Sequence, residues 1–233
     1  MRVEMTIPPF DSTGKNFAYW WNIQGEWVEE PNVRRGGESG VLRTTDANGH
    51  TLYIKHQEGH IYRSICHPLG QATILREYKA YCAFAKAQVK TPKVIYCGSL
   101  DKKAILVTES LDGFIDLDSW LTLCRQQNTS AEIIYKVLEA TAKMLARMHH
   151  NRLQHNCTYA KHIFVKVSEQ ANLPVAEVAL LDLEKSRRRL TTKAAALHDI
   201  PQIKRHSLLN AEEWRYFVNC YEKAFGCSLP QLY

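Results

Sequence analysis

The segments LQHNCTYAKHIFVK (residues 153–166) and LLDLEKSRRR (residues 180–189) decide the fold prediction. The first is a polar loop that runs into an apolar strand, and the second is an apolar strand that ends on the carboxylate of Asp182. A carboxylate directly after a buried strand is a good ligand for a hard cation, although an aspartate that only begins a turn is also common. The pattern is typical of a loop that carries a catalytic residue, yet a cysteine, Cys157, stands where a carboxylate is expected.

Length and composition narrow the class of protein. The 233 residues are enough for one large domain or for two small lobes around a cleft. The N-terminal residues lack the apolar core of a secretion signal, and no apolar run approaches the roughly 20 residues that span a bilayer. The seven cysteines are odd in number and form no Cys-x-x-Cys pair, which favours a reducing cytoplasm over a disulfide framework or a zinc site. A net charge of +6 favours an anionic partner: a nucleotide, a phosphorylated sugar, nucleic acid or an acidic membrane surface.

The N-terminal half predicts a β-rich lobe with one main helix. After an aromatic arm, a glycine turn and an Asn-Gly turn separate three strands, the third of which, HTLYIKH, has Lys55 at its centre. The dipeptide Asn48-Gly49 suits the positive φ angles of a two-residue hairpin loop. Helical spacing over residues 69–88 places Glu77 at the edge of the apolar face. Two more strands, TPKVIYCGSL and KKAILVTES, complete the lobe.

The C-terminal half predicts a larger helical lobe. LDGFIDLDSWLTLCRQQ leads from a linker into a helix, and TSAEIIYKVLEATAKMLARMHHNRL has the apolar side of a long amphipathic helix. One short hairpin, formed by HIFVKVS and AEVALLDLE, and further helices follow. The predicted domains are an arm over residues 1–26, an N-lobe over 27–111 and a C-lobe over 112–233.

The order of these features resembles the protein-kinase fold, which has a lysine in the third strand, a glutamate in the next helix and an aspartate after a hairpin. More closely, residues 27–217 resemble the lipopolysaccharide core kinases, the sugar kinases that act on inner-core heptose or Kdo. The motifs RRGGESGV, YIKH, REYKAY, QHNCTYAKHIFV and LLDLEKSRRR carry the resemblance together, in this order. It implies an α+β, two-lobed protein-kinase-like fold, with a small β-rich N-lobe containing one main helix, a larger helical C-lobe, and ATP and Mg²⁺ in the cleft between the lobes.

The resemblance also implies a phosphate site in the N-lobe. Gly36, Gly37 and Gly40 take the place of the glycine-rich loop, where backbone N–H groups approach phosphates closely because no side chain intervenes. A bare hairpin turn explains these glycines equally well when they are considered alone.

Four further residues are implied to bind the nucleotide. Lys55 would contact the α- and β-phosphates, and Glu77 would hold Lys55 by an ion pair. Two unrelated surface charges are the alternative, but this fits poorly with a lysine in mid-strand and a glutamate beside apolar neighbours. The main chains of Glu109 and Leu111, in ILVTESL, would position adenine.

The two segments quoted first are implied to supply the catalytic part. Asp182 matches the magnesium-binding aspartate of the kinases, and His162 stands at the position of their second metal ligand. His155 matches the histidine that precedes the catalytic aspartate, and Cys157 takes the place of that aspartate. The lipopolysaccharide kinases share His162 and the tyrosine at Tyr159. The heptose kinases have an aspartate in place of Cys157, whereas a subgroup of the family induced by weak acids has a cysteine there.

The cysteine leaves two functions open. A thiol with an ordinary pKa of about 8.5 is a poor acceptor for a hydroxyl proton, and general-base assistance is worth ~10²–10⁴ in rate. One hypothesis is an ATP-dependent phosphotransferase acting on a sugar hydroxyl, impaired or with His155 or His162 as a substitute base. The other is a nucleotide-binding pseudokinase that signals or scaffolds in the response to weak acid.

The basic run EKSRRR has two interpretations. It could bind an anionic acceptor, such as a phosphorylated sugar of the lipopolysaccharide core, or form a solvated turn. Nucleic-acid binding rests on charge alone and is disfavoured. The implied location is the cytoplasm, and a peripheral contact with the inner membrane is allowed. Asp199 resembles the helix aspartate that braces the catalytic loop, although a plain helix residue is nearly as good an interpretation.

Overall fold

A computed structural model describes residues 10–34, 37–64, 67–170 and 173–233. The chain forms two compact units. The first contains the residues up to Tyr81 together with Pro92–Leu111, and the second contains Cys82–Thr91 and Asp112–Tyr233. The first unit is mostly strand and the second is mostly helix.

The first unit is built on an antiparallel six-stranded sheet. Its strands are β1 (Phe10–Asp11), β2 (Glu26–Arg34), β3 (Gly37–Thr45), β4 (Thr51–Glu58), β7 (Val94–Leu100) and β8 (Lys103–Glu109), and the ribbon β5 (Ile61–Ser64) and β6 (His67–Ala72) lies between β4 and β7 in sequence. The sheet order is β1-β7-β8-β4-β3-β2. Strand β4 is therefore an inner strand, paired with β3 on one side and with β8 on the other.

Residues of β4 alternate between the two faces of this sheet. Leu52 and Ile54 are buried on one face, where they pack in one cluster with Trp20 of helix α1 (Phe17–Asn22). The side chain of Asn16 accepts a hydrogen bond from the Tyr19 N–H and caps this short helix. Lys55, the next residue after Ile54, consequently lies on the opposite face.

Two local predictions in the first unit are wrong. Helix α2 (Thr73–Lys86) begins four residues after the predicted start, because residues 67–72 form β6 instead. In the hairpin after β3, the positive φ is confined to Gly49, at 85°. The Asp46 carboxylate accepts hydrogen bonds from the N–H groups of Asn48 and His50. This acidic side chain stabilises a turn longer than the predicted two-residue loop.

In its described residues, the second unit contains four α-helices after residue 111, two short 3-10 helices (Ala160–His162 and Pro230–Leu232) and two small antiparallel sheets. The helices are α3 (Leu117–Gln126), α4 (Ala131–His150), α5 (Thr192–Arg205) and α6 (Ala211–Phe225). The strands are β9 (Ile115–Asp116), β10 (Leu153–Gln154), β11 (Ile163–Gln170), β12 (Leu173–Leu180) and β13 (Arg187–Arg188). The predicted hairpin is β11–β12, to which β9 adds a third strand, while β10 pairs with β13.

The hairpin of the second unit positions the residues that follow it. Strand β12 ends at Leu180, and the Leu181 N–H then donates a 3.0 Å hydrogen bond to the His162 carbonyl. This bond ties the residue before Asp182 to the start of β11. Among the helices of the described ranges, none combines the length and the apolar character that crossing a membrane requires.

Candidate functional site

An ion pair lies on the Lys55 face of the first unit. Lys55 Nζ donates a 2.8 Å hydrogen bond to Glu77 Oε2. Glu77 is only 4% exposed, and so buried a carboxylate is costly unless a cation pairs with it. The Lys55 side chain keeps 20% of its surface exposed and stays in contact with solvent. The structure therefore brings these two predicted residues together, while their contact with a nucleotide stays a prediction.

The glycines of the predicted phosphate loop also have a reason in the packing of the sheet. Gly37 and Gly40 lie within β3. A Cβ atom at Gly40 would lie 3.0 Å from the ring of Trp27 in β2, and one at Gly37 would lie 2.8 Å from the Glu58 carbonyl oxygen in β4. Neighbouring strands pass this close only where a residue has no side chain, so strand packing is a sufficient reason for both glycines, and their contact with a phosphate stays a prediction. Gly36 lies outside the described residues.

The residues predicted to face adenine follow the end of β8. The Glu109 N–H donates a 2.9 Å hydrogen bond to the Lys93 carbonyl, so of its two main-chain groups only the carbonyl could serve a nucleotide. Its side chain pairs with the Lys93 ammonium at 2.9 Å. Leu111 is partly buried. Their role towards adenine stays a prediction.

His155 holds the loop between β10 and β11 in shape. The ring is fully buried, and its Nε2–H donates a 2.7 Å hydrogen bond to the Leu181 carbonyl. With the proton on Nε2, Nδ1 accepts the Cys157 N–H at 3.3 Å. Burial lowers the pKa of His155, which keeps the ring neutral. Because both nitrogens are used within the protein, His155 is a positioning residue, and its predicted catalytic role is corrected.

Asp199 of α5 holds the same loop through its buried carboxylate. Its Oδ2 accepts the His155 N–H at 2.6 Å, and its Oδ1 accepts the Asn156 N–H at 3.0 Å. His149 Nε2 lies 3.3 Å from Oδ2, and His149 Nδ1 lies 2.7 Å from the Tyr221 hydroxyl. These contacts confirm the predicted bracing role. Burial alone would raise the pKa of Asp199, but the hydrogen bonds from His149 and the His155 N–H lower it, so the carboxylate is ionised.

Cys157 stands at the position of the catalytic aspartate but is 5% exposed. Burial raises the pKa of its thiol, and this effect exceeds that of the nearby Lys185 ammonium, which favours the thiolate. The thiol is therefore protonated at neutral pH and is not a base for a hydroxyl group. Its carbonyl oxygen, by contrast, accepts hydrogen bonds from His162 Nδ1 and from the Tyr159 N–H, each at 2.8 Å. Cys157 shapes the site through its main chain.

His162 and Asp182 form the part of the site suited to a cation. In the tautomer whose proton is on Nδ1, His162 donates a hydrogen bond to the Cys157 carbonyl, and Nε2 then carries a lone pair. This Nε2 lies 3.7 Å from Asp182 Oδ2, too far for a hydrogen bond. Asp182 has a φ of 59°, the left-handed region that non-glycine residues seldom adopt and that is often found at functional sites. A lone pair and a carboxylate that face each other are a donor set for one metal ion.

A metal ion held by His162 and Asp182 would need ligands beyond these two side chains. No group of three or more His, Cys, Asp and Glu side chains in the described part of the chain could hold a metal ion. Mg²⁺ prefers oxygen ligands and usually binds through one or two carboxylates, water and substrate phosphates. Asp182 fits this pattern as the principal ligand and His162 as the second. An ion held by this pair would complete its coordination with phosphate and water.

Comparison with known proteins agrees with these features. The model of the lipopolysaccharide kinase (Kdo/WaaP) family matches residues 18–221. The chain belongs to the lipopolysaccharide kinase family. Protein InaA of Escherichia coli (strain K12) is 38% identical over 194 residues, which are 82% of this chain and 87% of that protein. The resemblance drawn from the sequence motifs is confirmed.

A solved structure shows the fold of this family. WaaP in complex with acyl carrier protein has a TM-score of 0.68 to this chain at 21% identity, over 89% of this chain and 82% of that chain. The predicted α+β class and kinase-like fold are confirmed. The roles of individual residues are argued from this chain alone.

Two contacts of the loop between β10 and β11 are not predictable from the sequence. Lys185 lies close enough to the Cys157 thiol to affect its pKa. Arg187 lies 3.4 Å from the Asn156 side-chain oxygen. Both belong to EKSRRR, so the motif had been singled out, but only the pairing of β10 with β13 brings it to the loop.

We predict that Asp199→Asn lowers the free energy of unfolding by ~3 kcal/mol at pH 7, because it leaves the donors around this buried carboxylate poorly matched. The folded-state pKa is the lower one, so the wild-type advantage is complete above the unfolded pKa of about 3.9. It falls as the pH drops through the folded-state value. Urea denaturation at several pH values measures both effects.

The control is Asp101→Asn, a change at an exposed aspartate with a φ of 52°. Equal stability of Asp199→Asn and wild type at pH 7 would contradict the assignment.

Proposed function

We propose that this chain is a phosphotransferase that uses Mg-ATP to phosphorylate a hydroxyl group on an anionic sugar of the lipopolysaccharide core. The observation that carries the proposal is the arrangement of His162 and Asp182. The ring proton is committed to the Cys157 carbonyl, and the free nitrogen faces a carboxylate at 3.7 Å. Membership of the lipopolysaccharide kinase family supports both the reaction class and the class of acceptor.

Different side chains would bind the phosphates and the metal ion. Lys55, held by Glu77, supplies a positive charge for the nucleotide phosphates. Asp182 is the principal metal ligand and His162 the second. Bound Mg²⁺ supplies charge neutralisation at the phosphate oxygens. The backbone bonds around His155 and Asp199 keep the loop in one shape, so that little reorganisation accompanies binding.

The protonated Cys157 sets the expected rate. Phosphoryl transfer depends mainly on positioning and charge stabilisation, so it does not strictly require a base. The missing base would nevertheless slow transfer by ~10²–10⁴. His155 cannot replace it, because both of its nitrogens are bonded within the protein. We therefore propose a slow transferase.

The basic residues beside the loop support an anionic acceptor. The Lys185 ammonium lies near the Cys157 thiol, and the Arg187 guanidinium lies next to Asn156. Both side chains are exposed at the position where an acceptor hydroxyl would have to approach the loop. A phosphorylated or carboxylated sugar would pair with these cations, whereas a neutral sugar would leave them unmatched.

We predict that Mg-ATP raises the midpoint of thermal unfolding and that Lys55→Ala removes the effect. Ligand at a hundred times its dissociation constant adds ~2.7 kcal/mol, which is about 5–10 °C for a chain of this length. Lys102→Ala, an exposed lysine of the same unit, should keep the full shift. A shift that is independent of Mg²⁺, or that survives in Lys55→Ala, would contradict the proposed nucleotide site.

We also predict that Cys157→Asp raises phosphate transfer by ~10²–10⁴, because it restores a carboxylate base. The assay follows the terminal phosphate of labelled ATP to deacylated lipopolysaccharide core. Cys157→Ser, which has a similar size and no carboxylate, is the control and should show no gain. No transfer by any of the three proteins, with Mg-ATP binding intact, would instead support the nucleotide-binding scaffold.

A basic surface with an exposed leucine supports contact with the inner membrane. Leu190 is 93% exposed, and Arg187, Arg188 and Lys193 around it are also exposed. Anionic lipid headgroups attract such residues, and an exposed leucine gains by entering the acyl boundary, which it would not do on nucleic acid. We propose that this surface holds the enzyme next to a lipid-anchored acceptor.

We predict that the variant Arg188→Gln with Leu190→Ser binds phosphatidylglycerol vesicles about tenfold more weakly, since each basic residue contributes ~1 kcal/mol. Co-sedimentation over a range of lipid concentrations measures the partition coefficient. The control, Arg215→Gln with Leu208→Ser, makes the same changes at exposed positions elsewhere and should bind as the wild type does. An equal loss of vesicle binding in both variants, or binding of the wild type to neutral vesicles alone, would contradict the assignment of this surface.

A further inference from the structure

His198 of α5 lies at the centre of a hydrogen-bond network beside the loop between β10 and β11. Three side-chain atoms surround its Nδ1: Gln154 Nε2 at 3.1 Å, Gln202 Nε2 at 3.0 Å and Asp199 Oδ1 at 3.2 Å. The two amide nitrogens are hydrogen-bond donors, and the carboxylate oxygen is an acceptor. One ring nitrogen cannot satisfy both kinds of group, so its protonation state decides which of these contacts are favourable.

Gln202 connects His198 to the backbone of the loop. Gln202 Oε1 accepts the Thr158 N–H at 3.2 Å, and Gln202 Nε2 donates to the His198 carbonyl at 3.2 Å. Both partners are main-chain groups with fixed roles, so they fix the orientation of the amide. The amide nitrogen therefore faces His198 Nδ1 as a donor.

Gln154 connects His198 to Asn156. Gln154 Nε2 donates to Asn156 Oδ1 at 2.7 Å, and the Arg187 guanidinium lies 3.4 Å from the same oxygen. A guanidinium only donates, so the Asn156 oxygen faces Arg187 and Gln154 presents its amide nitrogen. The other amide atom, Gln154 Oε1, is buried and has no hydrogen-bond partner within the described residues. Both glutamines thus favour a neutral His198 ring with its proton on Nε2, because Nδ1 is then an acceptor.

A proton on Nδ1 reverses this pattern. Both nitrogens of the charged ring are donors, so Nδ1–H would face two amide donors and would bond to Asp199 Oδ1 instead. That oxygen already accepts the Asn156 N–H at 3.0 Å. Gln154 Oε1 becomes a second acceptor for Nδ1–H if the amide turns over, but this turn breaks the bond to Asn156 Oδ1. The His198 side chain keeps 35% of its surface exposed, so protons reach the ring from solvent.

The charged groups around the ring act in opposite directions. Asp199, the next residue on α5, favours proton uptake through its carboxylate, and the other oxygen of this carboxylate contacts His149 of α4. Arg187 of β13 disfavours proton uptake through its guanidinium. Gln154 of β10 is neutral. The hydrogen-bond pattern around Nδ1 therefore decides which loop contacts accompany each state of the ring.

We infer that His198 is a positioning residue that holds the loop while its ring is neutral, and that proton uptake releases Asn156 and Thr158. Asn156 has a φ of 73°, a left-handed conformation that persists in a non-glycine residue only when surrounding contacts hold it. Cys157, whose carbonyl contacts His162, lies between the two released residues. Loosening of the cation site follows, and this consequence rests on the proposed function, whereas the release itself does not.

The experiment follows the backbone N–H signals of Asn156 and Thr158 and the ring signals of His198 by NMR in the full chain. The pH is changed from about 8 to about 5, which brackets the ordinary titration of histidine. We expect all three sets of signals to shift with one midpoint. Hydrogen exchange of the Thr158 N–H is then compared between variants at the same pH, so that the intrinsic exchange rate cancels.

The decisive variant is His198→Asn, which keeps an acceptor oxygen near the position of Nδ1 and takes up no proton. Its Asn156 and Thr158 signals should keep their high-pH positions down to about pH 5. At that pH its Thr158 N–H should exchange about tenfold more slowly than that of the wild type, and equally fast at about pH 8, because one hydrogen bond differs. His198→Leu, which has no acceptor, should show the released signals throughout.

The control is His50→Asn, the same change at an exposed histidine of the first unit, and its loop should titrate as that of the wild type does. Loop signals that still titrate in His198→Asn would assign the change to another group. Loop signals that stay constant in the wild type while the His198 ring titrates would show that the two are not coupled. Either result would overturn the inference. None of these measurements requires phosphate transfer, so an inactive protein would count against the proposed function alone.

Discussion

The buried carboxylate of Asp199 is the group on which the shape of the loop between β10 and β11 depends. A carboxylate away from water must be surrounded by hydrogen-bond donors. Asp199 obtains two of them from the N–H groups of His155 and Asn156 and a third from His149. The loop is thus held in a single arrangement by the requirement to satisfy one charge, and not by regular secondary structure.

This constraint extends from Asp199 to the cation site. Once His155 is fixed, its ring bonds to the Leu181 carbonyl and to the Cys157 N–H. The Cys157 carbonyl then sets the tautomer of His162, whose other nitrogen faces Asp182. Each step is a hydrogen bond between groups of the second unit. The residue type at position 157 does not enter this chain of contacts, because only its main chain is used. This explains how the fold accepts a cysteine at this position.

Successive side chains of β4 point to opposite faces of the sheet in the first unit. Lys55 lies on one face with Glu77, and its neighbour His56 lies on the other between two indoles. On the first face the Lys55 ammonium stays partly exposed to solvent, and on the second the Lys103 ammonium lies over the Trp21 ring. Gly40 shows that two requirements can look alike in sequence, because a glycine needed for close backbone packing resembles a glycine needed for phosphate.

The sequence by itself determined the class of fold, the family and the pairing of Lys55 with Glu77, because periodic burial and motif order are local properties of the chain. It also offered Asp199 as one candidate for a bracing residue, with a plain helix residue as the alternative. Only the tertiary structure decided that the Cys157 thiol is buried and protonated, that His155 has no free nitrogen and that neighbouring strands pass close to Gly40. It also decided that Lys185 and Arg187 reach the loop. These properties depend on which distant residues surround a group. Burial and hydrogen-bond partners set its pKa and its tautomer, and the neighbouring atoms set the space beside a glycine.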